Sequence, residues 1–239
     1  MGPLAALLLA AQAAPEGVAE RDARELTEML VGAWNDTEAA SFAAGARAPR
    51  RVEITRDGGG EALRVRGDVA GLHGLTIRAD TSVRVTTSGA RSPCALTARR
   101  EGEVFRLTAQ PDCPGMVPTL VAADTLVLSD GAVMRRADPY ACWVSRKKDG
   151  DGWTFTPDLT IREGETVTLP DEAGVSRPAA LRLRHVRWPS GPNRDSLVLY
   201  VHDEAEAPAV SYAWTAPDAA RIAINLRWVQ ASCTREGTE

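Results

Sequence analysis

The sequence is poor in the residues and motifs from which catalytic centres are usually built. It contains three histidines, and no Gly-x-Ser-x-Gly, Walker, dinucleotide-binding or His-Glu-x-x-His pattern occurs along its 239 residues. Lysine is confined to Lys147 and Lys148, and the net charge is -4, so the basic surplus typical of nucleic-acid-binding proteins is missing. The sequence therefore assigns no catalytic residue, and we expect neither a cofactor nor a nucleic-acid partner.

A hydrophobic run long enough to cross a membrane is also missing. The N-terminus carries a short apolar stretch that ends in Ala11-Gln12-Ala13, a small-residue pattern typical of signal-peptide cleavage sites. Residues 1–14 are predicted to be a signal peptide, although a short apolar helix would have the same composition. About 20 apolar residues would be needed to span a bilayer. Residues 15–239 are therefore predicted to be a periplasmic or secreted chain with no transmembrane span.

Cysteine is scarce but supports export. The four cysteines permit three disulfide pairings, and the order along the chain favours Cys94–Cys113 and Cys142–Cys233. A metal site is the alternative use of four cysteines, but the sequence has no Cys-x-x-Cys pair and no histidine close to a cysteine. We therefore predict two disulfides and no metal.

What the sequence does contain is one amphipathic helix followed by many short strands. The helix is predicted over Glu20–Ala33, where Leu26 and Leu30 recur at helical spacing. Strands with alternating or continuous apolar residues follow, among them Val104–Ala109 and Leu120–Leu128. One helix and about ten strands predict an all-β protein, an antiparallel barrel that fills residues 15–239 as a single domain. A two-sheet sandwich stays open, because periodicity alone does not distinguish closure from stacking.

The segment Cys94–Asp138 carries a resemblance to a known family. It runs from a cysteine through a strand, a charged glycine turn, a second strand and a second cysteine into a longer apolar strand. Together with Gly32, Trp34 and Asn35 after the helix, this order resembles the CpcT/CpeT family. The resemblance implies a lipocalin-like barrel and an association with the attachment of bilins to phycobiliproteins.

The six tryptophans suggest where a ligand would bind. Trp34, after the helix, is expected to lie across one end of the barrel against the strand Ile222–Trp228. Arg184 with Trp188, and Trp228 beside another arginine, would suit a flat anionic ligand, because a guanidinium binds a carboxylate while an indole stacks on the ring. Ordinary core packing of tryptophan beside surface arginine is the alternative. The candidate ligand-binding residues are Trp34, Arg184, Trp188 and Trp228.

Three functions are compatible with these features. The first is an exported lipocalin-like protein that binds an apolar or tetrapyrrole-like ligand. The second is a chromophore lyase, the activity that the family resemblance implies. The third is an envelope protein without a ligand, whose barrel is filled by its own side chains.

Overall fold

The N-terminal helix is present and covers the interior of a barrel. The computed structural model describes residues 17–43, 47–58, 61–89, 93–111, 113, 115–188 and 190–237, so the expected signal peptide lies outside it. Helix α1 spans Val18–Leu30, and the Glu20 carboxylate accepts a 2.9 Å hydrogen bond from the Gly17 N–H at its start. The helix ends earlier than predicted because the chain turns into a strand at Gly32, whose φ is 144°.

The strands after α1 form a closed antiparallel barrel, which confirms the predicted fold class. Each strand pairs with the next in sequence, and β10 returns to pair with β1. The strands are β1 (Gly32–Asn35), β2 (Arg51–Arg56), β3 (Ala62–Gly67), β4 (Gly74–Ala79), β5 (Val83–Ser88), β6 (Cys94–Glu101), β7 (Val104–Ala109), β8 (Pro118–Val121), β9 (Thr125–Leu128) and β10 (Val133–Arg136). A short helix, α2 (Thr37–Phe42), follows β1.

The interior of the barrel is packed with the chain's own side chains. Leu26 and Leu30 of α1 and Trp34 of β1 belong to one buried cluster with apolar residues from the surrounding strands. The alternation is clear in β5, where Val83 and Val85 are buried and the intervening Arg84 is exposed. The helix and the inward-facing residues of the strands thus build a single apolar core.

One predicted strand is in fact two. The apolar stretch Leu120–Leu128 reverses between β8 and β9, where the Ala122 N–H donates to the Thr125 carbonyl at 2.8 Å. The prediction was wrong because Ala122 and Ala123 read as apolar, although alanine has low strand propensity and buries little surface. Because of this reversal, β9 runs antiparallel to β8, and β10 pairs with both β9 and β1.

The chain beyond Ala137 lies outside the barrel. Its strands are β11 (Pro139–Arg146), β12 (Thr156–Arg162), β13 (Thr166–Thr168), β14 (Ala180–Val186), β15 (Ser196–His202), β16 (Ala209–Thr215), β17 (Arg221–Asn225) and β18 (Val229–Arg235). They form two four-stranded sheets, in the orders β12-β11-β18-β17 and β13-β14-β15-β16, which share a second apolar core. This pair of sheets is called the sandwich below.

The barrel is therefore smaller than predicted: it was expected to fill residues 15–239, but its last strand ends at Arg136. Once β10 has paired with both β9 and β1, no free edge is left for later strands to join. The strand around Ile222 belongs to the sandwich and does not contact Trp34 as the closing strand of the barrel. Both architectures that the periodicity allowed occur in the same chain.

Both predicted disulfides are present. Cys94 and Cys113 join the start of β6 to the segment after β7, and Cys142 and Cys233 are direct register partners on β11 and β18. Neither disulfide links the barrel to the sandwich. Within the described ranges, no helix is long and apolar enough to span a bilayer.

The turn between β12 and β13 connects the sandwich to the barrel. The Asn35 side chain donates to the Glu163 carbonyl at 2.8 Å, and Arg51 donates to the Gly164 carbonyl at 3.1 Å. Gly164 has a φ of 82°, and a Cβ there would lie 2.5 Å from the Thr37 hydroxyl. This close approach sets α2, which follows β1, against the outer face of the sheet that contains β14.

Candidate functional site

The structure brings together two of the four predicted ligand-binding residues. Arg184 and Trp188 border the same groove on the sandwich. Trp228 lies elsewhere, under the guanidinium of Arg177, whose Cζ is 3.7 Å from the ring centre. Trp34 is 1% exposed and donates from Nε1 to the Leu30 carbonyl at 3.0 Å, so it is a core residue of the barrel.

The groove lies on the outer face of the sheet β13-β14-β15-β16. Along β14 and β15, residues such as Leu183 and Leu199 point into the sandwich core, so their neighbours point outward. Register places the outward residues in two adjacent rows across β14, β15 and β16. The rows are Arg184–Val198–Trp214 and Arg182–Tyr200–Tyr212.

Helix α2 and the end of β14 complete the groove. Phe42 of α2 and Trp188 approach with ring centres 5.8 Å apart, and the Arg184 guanidinium lies 5.7 Å from the Phe42 ring centre. The resulting groove has a volume of about 380 Å³. We call it the aromatic groove; its main residues are Phe42, Arg184, Trp188, Tyr200, Tyr212 and Trp214.

The aromatic rings of this groove are unusually open to solvent. Trp214 is 70% exposed and Tyr212 is 63% exposed, although both stand on a regular strand. An exposed apolar patch with a polar rim is typical of a binding surface, whereas single exposed apolar residues are normal. The grouping of several rings therefore makes this surface a candidate binding site.

The arginines beside these rings lack counterions. Among the described residues, neither Arg182 nor Arg184 forms an ion pair, and the Nε atoms of both are buried without an acceptor. Many other arginines of the chain are paired, as Arg50 is with Asp36 and Asp130. Burial lowers the pKa of Arg182, and the neighbouring positive charge of Arg184 lowers it further. Two partly desolvated cations on one sheet face favour an anion.

A second cavity, which Trp34 borders, is a weaker candidate. It has a volume of about 240 Å³ and lies between β1, β2 and the turn after β12. One of its arginines is already neutralised, since Arg162 lies 3.1 Å from Glu53. The indole of Trp34 offers little free surface to a ligand there, because its side chain is buried in the barrel core.

His185 is held by a carboxylate and a backbone carbonyl. His185 lies between the Glu163 carboxylate, 2.9 Å from Nδ1, and the Pro217 carbonyl, 2.7 Å from Nε2. Burial lowers the pKa of His185, but the hydrogen bond and negative charge of Glu163 outweigh burial and raise it. No cluster of three or more metal-ligating side chains occurs in the part of the chain that the structure describes.

No protein-family model, curated protein or solved structure matches the chain. The resemblance to CpcT/CpeT proteins therefore rests on the sequence pattern alone, and the aromatic groove is judged by its own chemistry.

Sequence analysis missed most of the groove. It did not single out Phe42, Arg182, Tyr200, Tyr212 or Trp214 as ligand-binding residues. A signal was present in Val210, Tyr212 and Trp214, which place three large apolar residues on one face of a strand. The pattern does not tell whether that face is buried, so only the structure reveals the rings as exposed.

Proposed function

We propose that the protein is an exported binding protein whose ligand is a flat, largely apolar molecule with an acidic group. Tetrapyrrole-like molecules belong to this class. The observation that carries the proposal is Arg184, a cation without a carboxylate partner beside the exposed rings of Trp188 and Trp214. A guanidinium binds a carboxylate through paired hydrogen bonds, and indole faces stack on flat rings.

The proposal puts the ligand outside the barrel. Side chains of α1 and of the strands occupy the barrel interior, whereas the aromatic groove is open and rich in rings. Export to the periplasm or beyond is supported by the two disulfides, since disulfides persist in oxidising compartments. Cell fractionation tests it: we expect the protein outside the cytoplasm with both disulfides formed, and a reduced cytoplasmic pool would contradict export.

A fluorescence titration tests the ligand class. Bilins, haem and fatty acids are added to the purified protein while tryptophan emission is recorded. We expect flat acidic ligands to quench emission saturably, and Arg184→Gln to weaken their binding about tenfold, the effect of one charged hydrogen-bonding partner. Fatty acids, which have the acid but no flat ring, should bind more weakly.

A pair of tryptophan variants tests whether the quenching arises in the aromatic groove. Trp188→Phe should remove part of the quenching, whereas Trp228→Phe, which alters a tryptophan outside the groove, should leave the ligand-induced change intact. The absence of any spectral change with all ligands would contradict the proposal. So would quenching that Trp228→Phe abolishes and Trp188→Phe leaves unchanged.

A further inference from the structure

The outer face of the sandwich repeats its binding chemistry in two rows. Each row begins with an arginine on β14, crosses an apolar or aromatic residue on β15 and ends on an aromatic ring on β16. Arg182 and Arg184 are two positions apart on an extended strand, with Leu183 between them, so their Cα atoms lie about 7 Å apart. Residues of both rows border the aromatic groove, and Arg184 does so as well, whereas Arg182 borders a different cavity. The chemical role of Arg182 therefore needs its own explanation.

Arg182 borders a third, more polar cavity, which Thr37, Ala40 and Ser41 of α2 also border. This cavity has a volume of about 490 Å³, and Ser41 borders both it and the aromatic groove. Arg47 also borders the cavity, but its charge is already paired with Asp36 at 3.0 Å. The uncompensated positive charge in this cavity is therefore that of Arg182.

The charges around Arg182 do not neutralise it. Arg184 and Arg51 both act on it as like charges, and Glu206 attracts it from beyond ion-pair distance. No carboxylate comes within 4.0 Å of its guanidinium among the described residues. Holding two like charges partly out of water is unfavourable unless a counter-charge is supplied. One acidic group at Arg184 would compensate only one of the two arginines.

We infer that the ligand of the aromatic groove carries two acidic groups, one for Arg184 and one for Arg182, on opposite ends of a flat apolar body. The inference rests on the proposed function and specifies its ligand class. In this arrangement the flat body lies on the rings of the edge strand, Tyr212 and Trp214, while the two guanidinium groups hold its ends. The spacing of the two rows then selects ligands whose acids are well separated.

Calorimetric titration with three naphthalene probes tests the inference. Naphthalene-2-carboxylate has one acid, naphthalene-2,6-dicarboxylate has two acids at opposite ends, and naphthalene-2,3-dicarboxylate has two adjacent acids. We expect the 2,6-diacid to bind about tenfold more tightly than the monoacid, a difference of about 1.4 kcal/mol. The 2,3-diacid, which has the same charge but cannot reach both arginines, should gain less than threefold.

Two variants test whether Arg182 causes the tighter binding of the 2,6-diacid. Arg182→Gln should reduce binding of the 2,6-diacid to the level of the monoacid and leave the monoacid unchanged, whereas Arg184→Gln should weaken both. Arg78→Gln removes one exposed positive charge from the barrel and serves as the control for net charge. It should change none of the affinities by more than twofold. The comparison of probes on the unmodified protein stands even if Arg182→Gln does not fold.

The outcomes distinguish this inference from the proposed function. Equal affinities for the monoacid and both diacids, with the monoacid still sensitive to Arg184→Gln, would overturn the second acidic group and leave the proposed function standing. Equal gains for both diacids would show a general charge effect and would also overturn it. Failure of every probe to bind would overturn both proposals.

Discussion

Replacing Trp34 with alanine should destabilise the barrel strongly. The side chain is 1% exposed, so truncation removes a fully packed indole from the core shared by α1 and the strands. Losses of this kind cost about 3–5 kcal/mol, against a total stability of about 5–15 kcal/mol for a typical protein. The Leu30 carbonyl would also lose the indole N–H that donates to it at 3.0 Å, which adds about 1 kcal/mol.

Guanidinium denaturation followed by circular dichroism measures the loss. Trp34→Phe should recover much of the stability, because it restores the ring volume but not the hydrogen bond. Trp214→Ala is the matched control: its side chain is 70% exposed, so the change should be about 0.5 kcal/mol or less. If the melt of Trp34→Ala overlays that of the parent, Trp34 does not hold the barrel core and the reasoning fails.

Two further predictions concern the disulfides and pH. Thiol titration of the denatured, unreduced protein should find no free cysteine. Replacing Cys142 should cost more stability than replacing Cys94, because the disulfide of Cys142 closes a loop of 91 residues and that of Cys94 a loop of 19. Chain entropy alone gives about 4.6 kcal/mol for the longer loop and about 3 kcal/mol for the shorter one, and two reactive thiols or the reverse order of stabilities would contradict this prediction. The raised pKa of His185, whose ordinary value is 6.5, predicts stability that is fully present below about pH 6.5 and lost as pH rises through the folded-state pKa. Denaturant melts from pH 5 to 9 should show this fall, and Glu163→Gln should flatten it; an identical slope in that variant would exclude the pair as the cause.

The barrel was largely predictable because its strands obey local rules. Strand β7 was predicted with its observed bounds, Val104–Ala109, since the glycine turn before it and the alternation within it are both local signals. The same rules predicted α1 from the spacing of Leu26 and Leu30. The disulfide Cys94–Cys113 followed from chain order, because β6 and β7 are consecutive strands that pair with each other. Cys142 and Cys233 were assigned to each other as the remaining pair.

The sandwich and the aromatic groove depend on tertiary contacts that periodicity does not encode. The alternation of Ile222 and Ile224 shows a strand but not which sheet it joins. Likewise, Arg184 and Phe42 are far apart in sequence and meet where α2 lies against the sheet that contains β14. The close approach of Gly164 to Thr37 at the start of α2 is part of that contact. The residues of a surface built from such distant elements can be recognised as one group only when the three-dimensional structure is known.

The most direct test of the central claim is a crystal structure of the protein with the tightest-binding ligand from the titrations. We predict electron density for a flat ligand on the outer face of β14, β15 and β16, with an acidic group at the Arg184 guanidinium and a ring against Trp188 or Trp214. A ligand inside the barrel, displacing Leu26 or Leu30, would contradict the account, and so would a ligand bound beside Trp228.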